Sequence, residues 1–167
     1  MTDTDDLVEM TNRVVVTGVG MVTALGHSTA STWEQVLQGA SGVDIARRFD
    51  HGDLPPQICI AAEVKDFSPA AVLDRKELRR VDLFIQYALV AADEALCRAG
   101  LGGLGTVPDP DETGVIVGSG VGGIGTILET AKLADERGSS PGAAAAFRAA
   151  RGLSCHVGVQ LRSHLRK

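Results

Sequence analysis

Between residues 78 and 96, the apolar side chains Leu78, Val81, Ile85, Ala88, Leu89, Ala92 and Leu96 return at spacings of three and four. That period predicts a helix from about Arg75 to Ala99, with one face in a core and Gly100 as its stop. At 3.6 residues per turn it makes about six to seven turns. A stripe that long has to be buried against a second layer. The chain offers two short β-branched runs for this purpose, one before the helix and one after it. Only 4% of the residues are aromatic, so the core has to be built from Val, Leu, Ile and Ala.

The first run, Arg13-Val-Val-Val-Thr-Gly18, reads as a strand covered on both faces and ends in Gly18-Val-Gly20, where glycine allows a tight turn. Ser28 to Gly39 reads as a helix. Ser28 or Ser31 caps it, Trp33, Val36 and Leu37 form its apolar side, and Gly39 ends it. A strand at Gln57 to Val64 and a short turn at Ser68-Pro69 follow. The second β-branched run, Thr113 to Val117, leads through a glycine-rich stretch into a helix over about Ile124 to Arg137. Strands alternating with helices place the chain in the α/β class.

The net charge of −5 is unevenly spread. Residues 138–167 hold Arg148, Arg151, Arg162, Arg166 and Lys167 with no acid, whereas residues 1–137 carry a net −10. We divide the chain into an acidic mobile tail over 1–12, a folded domain over 13–137 and a basic, low-complexity, poorly packed tail over 138–167. No apolar run approaches the roughly 20 residues of a membrane helix, and the acidic start is unlike a signal peptide. A cytoplasmic protein is expected, with no membrane or nucleic-acid partner. Cys59, Cys97 and Cys155 have neither metal-ligand nor disulfide spacing, so reduced thiols are expected; no metal site and no cofactor are assigned.

Several groups could carry chemistry. Gly118-Ser119-Gly120-Val121-Gly122-Gly123 fits a dinucleotide fingerprint, in which glycines let a helix N-terminus approach a pyrophosphate. The acid expected about 20 residues further on is missing, and the alternative is a tight turn where strand, helix and a neighbouring chain approach closely. Gly18 and Gly20 fail the same pattern because Thr23 stands where the third glycine belongs. Lys76, Arg79 and Arg80 fall at i, i+3 and i+4, on one side of the long helix near its start. They form either a solvated face balanced by Asp74, Glu77 and Asp82 or a docking patch for an acidic partner. Cys155-His156 are adjacent in sequence, which seldom presents a thiol and its base correctly. Cys59 and Cys97 read as small core residues, and His27 and His51 as solvent-facing loop residues.

Taken together and in order, Arg13 to Gly26, Thr32-Trp33, Gly39 to Gly42, Phe49-Asp50, Val64 to Phe67, Arg75-Lys76, Asp82, Phe84 to Tyr87 and Gly118 to Gly123 are familiar. Over about residues 12–137 the chain resembles the opening of a type II β-ketoacyl-acyl-carrier-protein synthase. The resemblance implies a partial thiolase-like layered fold, the N-terminal portion of an αβαβα architecture, with a mixed sheet and flanking helices. It implies an acyltransferase of fatty-acid synthesis, homodimeric at full length, that condenses acyl groups with malonyl-acyl-carrier protein. It also implies that Lys76, Arg79 and Arg80 dock the acidic acyl-carrier protein and that Val121 helps shape the acyl pocket. Gly118, Gly120, Gly122 and Gly123 would then be packing elements near the dimer interface and the active site.

The family's nucleophilic cysteine, in a Thr-Ala-Cys-like context, and its two histidines have no match here, and Cys155 in Leu-Ser-Cys-His departs from that motif. No catalytic residue is therefore assigned, and a frameshift or truncation near Gly138 would account for the tail. Two other readings stay open: a non-catalytic module that binds carrier protein or dimerises, and a dinucleotide-binding domain.

Overall fold

A computed structural model describes residues 14–48, 51–79, 81–106, 109, 111–120 and 122–137. The two tails, Arg80, Val121, Cys155 and His156 lie outside the described residues. In chain order the elements are α1 (Thr29–Leu37), β1 (Asp44–Ile45), a 3-10 turn (Pro56–Ile58), β2 (Ile60–Ala61), α2 (Arg75–Leu78), α3 (Leu83–Arg98) and α4 (Ile124–Arg137). β1 and β2 pair antiparallel, with Asp44 opposite Ala61 and Ile45 opposite Ile60.

The helix expected over 75–99 is divided in two. Arg79 is the C-cap of α2, and Asp82, with extended backbone (φ −65°, ψ 158°), is the N-cap of α3. The apolar stripe runs through the break because Leu78 and Val81 pack on the same core as α3. Periodicity reports the buried face, and that face survives a bend. The Val81 carbonyl exposed by the break accepts the Gln86 Nε2–H at 3.0 Å. Beyond Ala99 the chain turns as expected at Gly100 (φ +77°). There Gly100 N–H donates to the Cys97 carbonyl and Leu101 N–H to that of Leu96, a pair of hydrogen bonds that ends a helix when its C′ residue can take positive φ. α1 ends the same way, with Gly39 and Ala40 donating to Val36 and Gln35.

The core sits on α3. Leu73, Ile85 and Leu89 are buried, with Val72, Phe84, Ala88, Ala92, Leu104 and Val115 packed around them. Cys97 is exposed rather than in the core. It lies twelve residues after Ile85, which at 3.6 residues per turn is about 120° round the helix from the buried face. Cys59 is buried as expected, its Sγ donating to the Pro55 carbonyl at 3.3 Å.

The segment before α1 is where sequence and structure differ most. Val14 and Val16 are 96% and 82% exposed and join no ladder among the described residues. Thr113 to Val117 is likewise unpaired, and Ile116 is fully exposed. Both runs have strand-forming composition, but a strand requires a neighbour, and none of the described residues supplies one. The strand expected over 57–64 shortens to β2 because the prolines at 55 and 56 start a 3-10 turn there.

Gly18 and Gly20 serve close approach rather than a tight turn. A Cβ on Gly18 would overlap the Ala95 carbonyl oxygen, and one on Gly20 the Ala91 carbonyl oxygen. Ala91 and Ala95 are one turn apart on α3, so two glycines lie flat on a face cleared by two alanines. Just beyond, the Glu94 carboxylate accepts Met21 N–H at 3.0 Å and Thr29 N–H at 2.9 Å and 3.0 Å. It thereby supplies an acceptor at the start of α1, where orphan N–H groups favour a negative charge. Ser28 and Ser31 complete that end with a reciprocal capping box. α1 is consequently held by its N-terminus, and Thr32 is its buried residue. The apolar side expected of it, Trp33, Val36 and Leu37, is exposed because no described residue covers it.

Candidate functional site

The first candidate surface is the basic edge at α2. Asp74 caps this short helix by accepting Lys76 N–H at 2.8 Å and Glu77 N–H at 2.7 Å, while Glu77 reaches back to Asp74 N–H at 3.1 Å. Two of the acids expected to balance the cations are thus engaged with backbone. The third, Asp82, points to α4, accepting Thr126 Oγ1–H at 2.6 Å through its Oδ1. Lys76 and Arg79 are exposed, and among the described residues neither makes an ion pair. They sit on and just after a four-residue helix, not along one long helix face, because the chain breaks before Asp82.

The second surface is the glycine-rich turn. A Cβ on Gly118 or Gly120 would meet nothing within 4 Å, so none of the described residues approaches either closely. It occurs instead at the turn's end. Gly122 (φ +75°) lies against the Phe84 ring, and a Cβ on Gly123 would overlap Asp82 Oδ2. Here the dinucleotide reading fails on electrostatics. The position before α4, where a pyrophosphate would sit, is taken by the Asp82 carboxylate, and two anions cannot share one helix N-terminus. The connection that follows the basic edge therefore carries the residues that grip the turn.

Charge elsewhere is locally compensated. Asp44 takes a 2.6 Å hydrogen bond from Lys65 Nζ, which with the Ile45 N–H holds its carboxyl below the usual range. Glu63 is held low by the Arg47 and Arg48 backbone N–H groups. At Glu94, desolvation opposes ionisation but is outweighed by the Met21 and Thr29 N–H groups and by Arg98 Nε at 3.0 Å, so its pKa is lowered. Among the described residues, no three His, Cys, Asp or Glu side chains gather as metal ligands. No helix there is long and apolar enough to cross a membrane. His27 is exposed with its ring edge-on to Phe67, centroids 5.6 Å apart, and His51 is half-buried rather than solvent-facing.

Residues 11–164 match the family described as beta-ketoacyl synthase, N-terminal domain. The chain belongs to the β-ketoacyl synthase family. Its match to the family runs beyond Arg137, over much of the stretch read from composition as a basic tail. Among curated β-ketoacyl synthases it is similar to 3-oxoacyl-[acyl-carrier-protein] synthase 2 of Coxiella burnetii, 45% identical over 109 residues. The Staphylococcus aureus synthase 2 is 40% identical over 111 residues. These alignments cover 65% of this chain and 25% of each relative. The Synechocystis synthase 2 is 36% identical over 129 residues, 77% of this chain and 30% of that one. The chain thus spans about a quarter of the length of the curated synthases it matches.

A solved structure, the ishigamide ketosynthase/chain length factor, superposes with a TM-score of 0.67 at 24% identity. The superposition covers 91% of this chain and 36% of that one, and shows a partial thiolase-like fold. Sequence reasoning underrated Asp82 and Thr126. Asp82 stands directly before an apolar helical run, the place of an N-cap, but nothing in the sequence says that its side chain serves a helix more than forty residues away.

Proposed function

We propose that this chain is the N-terminal, carrier-protein-docking portion of a 3-oxoacyl-acyl-carrier-protein synthase of the type 2 class. The reaction proposed for the complete synthase is a decarboxylative condensation in fatty-acid synthesis. Loss of carbon dioxide from malonyl-acyl-carrier protein supplies the electron pair that forms the new carbon–carbon bond to the enzyme-bound acyl group, whose thioester bond breaks and returns the enzyme's thiolate. In this reading Lys76, Arg79 and Arg80 dock the acidic carrier protein, Val121 lies at the acyl pocket, and the complete enzyme is a homodimer.

The observation that carries the docking role is the basic edge itself. Lys76 and Arg79 are exposed and unpaired among the described residues while the adjacent acids are engaged elsewhere. Unpaired exposed cations raise the association rate of an acidic partner and make it salt-sensitive.

The described cysteines are unsuited to carry an acyl group. Cys59 is buried and hydrogen-bonded to a backbone carbonyl, and Cys97 has no hydrogen-bonded base among the described residues. Since Cys155 also departs from the family's nucleophile motif, the chain alone is expected to show no turnover with acyl- and malonyl-acyl-carrier protein. It is expected to bind carrier protein, and the double reversal Lys76→Glu/Arg79→Glu should weaken binding at low salt by about tenfold or more, with less effect at high salt. Calorimetry or fluorescence anisotropy measures this. Binding that ignores both the reversal and the salt would remove the docking role, and turnover lost in Cys155→Ala would show that the chain carries its own nucleophile.

A further inference from the structure

We infer that Asp82 is a positioning residue whose backbone carbonyl starts α3 and whose carboxylate holds the first turn of α4, fixing the end of the glycine-rich turn against α3. An aspartate at an N-cap normally gives its side chain to the N–H groups of its own helix. Asp82 does not. Its backbone carbonyl accepts Ile85 and Gln86 N–H at 3.0 Å and 3.1 Å, which begins α3, but its side chain makes no cap bond there. The carboxylate instead lies at the start of α4. Oδ1 accepts a 2.6 Å hydrogen bond from the Thr126 hydroxyl, and Oδ2 is buried against Gly123, with no hydrogen-bond partner among the described residues.

Three features of the sequence are explained by this one placement. Glycine at 123 leaves the room that Asp82 uses, because a Cβ would occupy the space of Oδ2 and push the carboxylate aside. The hydroxyl at residue 126 is the donor Asp82 uses. Residue 84 closes the other side, its ring lying 3.4 Å from where a Gly122 Cβ would stand. Thr130, buried one turn further on, returns its hydroxyl to the Thr126 carbonyl at 2.7 Å and stiffens the same turn of α4. The negative charge also favours the α4 N-terminus, where unsatisfied N–H groups gather. Because the turn leads from the position proposed to line the acyl pocket, Asp82 would set that wall in the complete synthase. Only this last step rests on the functional reading.

Hydrogen exchange followed by mass spectrometry tests the clamp on the chain itself, independently of carrier-protein binding. Thr126→Val and Asp82→Ala should each speed exchange in a peptide covering the turn and the first turns of α4 by at least about tenfold, leaving α1 unaffected. The double variant should add little to either single change, since both remove the same bond. Thr126→Ser, which keeps the hydroxyl, should restore protection to within about threefold of the parent. Additive effects, failure of serine to rescue, or equal loss of protection in α1 would each overturn the inference. Should Asp82→Ala fail to fold, the Thr126→Val and Thr126→Ser pair still decides it. A chain that keeps the clamp but binds no carrier protein would overturn the proposed function and leave this inference standing.

Discussion

Two glycine-containing segments lie against the same helix, and they are held in different ways. The Gly18-to-Thr29 segment is clasped to α3 at both its ends. Two glycines rest on the Ala91 and Ala95 backbone, and one carboxylate, Glu94, collects two backbone N–H groups from that segment. Among its described residues, the Gly118-to-Gly123 segment meets α3 and its N-cap at its end, through Phe84 and the Asp82 side chain, while Gly118 and Gly120 stand in open space. A run of glycines therefore has no single meaning. In the first segment the missing Cβ creates a contact, and over most of the second it creates none.

The largest expected effect follows from this difference. Gly20→Ala would drive a methyl group into the Ala91 carbonyl, which belongs to helix backbone and cannot swing aside as a side chain would. Destabilisation of about 3 kcal/mol, the upper end for overpacking, is expected in a denaturant or thermal melt. An unchanged midpoint would show that the Gly18-to-Gly20 segment is not seated on α3 in solution.

Glu94 is the next strongest tie. Its side chain is only 18% exposed, and its removal leaves the Met21 and Thr29 N–H groups without their acceptor, so Glu94→Ala should cost about 2 kcal/mol. The pH dependence has a defined sign. Because the folded pKa lies below the ordinary value, the carboxylate contributes stability fully above the unfolded glutamate pKa of about 4.3. That contribution is lost as pH falls through the lowered folded value. Glu94→Gln should be less stable than the parent at neutral pH and should lose less stability on acidification. Parallel melts of the two proteins across that acid range measure the difference, and identical pH profiles would remove Glu94 as an ionised anchor.

Local signals in the sequence were legible where they depend on near neighbours. Ser28 and Ser31 announce the start of α1, Gly39 and Gly100 the ends of α1 and α3, and Ile124 to Arg137 is found as a helix with the expected bounds. The buried face of α3 was legible as well, because the stripe through Ile85 and Leu89 repeats with the helix. The break at Asp82 was not, since apolar spacing continues across it. Nor was the exposure of Val14, Val16 and Ile116, because a β-branched run specifies an extended backbone without naming the strand beside it. At the candidate site, the exposed cations at 76 and 79 could be found from their clustering. The Asp82–Thr126 bond, which joins residues 44 apart, could not.

The smallest expected effect sharpens the same comparison. Alanine at Gly120 meets no atom within 4 Å, and its φ lies outside the positive region that glycine alone tolerates well. Such a substitution removes conformational freedom from the unfolded chain without adding strain, so Gly120→Ala should leave stability unchanged or raise it by about 0.5 kcal/mol. The same holds for Gly118→Ala, and the pair serves as the control for Gly20→Ala. Clear destabilisation by either would mean that another surface approaches the turn closely in solution, as expected of glycines at a subunit interface. Dependence of that loss on protein concentration would identify a second copy of the chain as the surface, because only an associating system links stability to concentration.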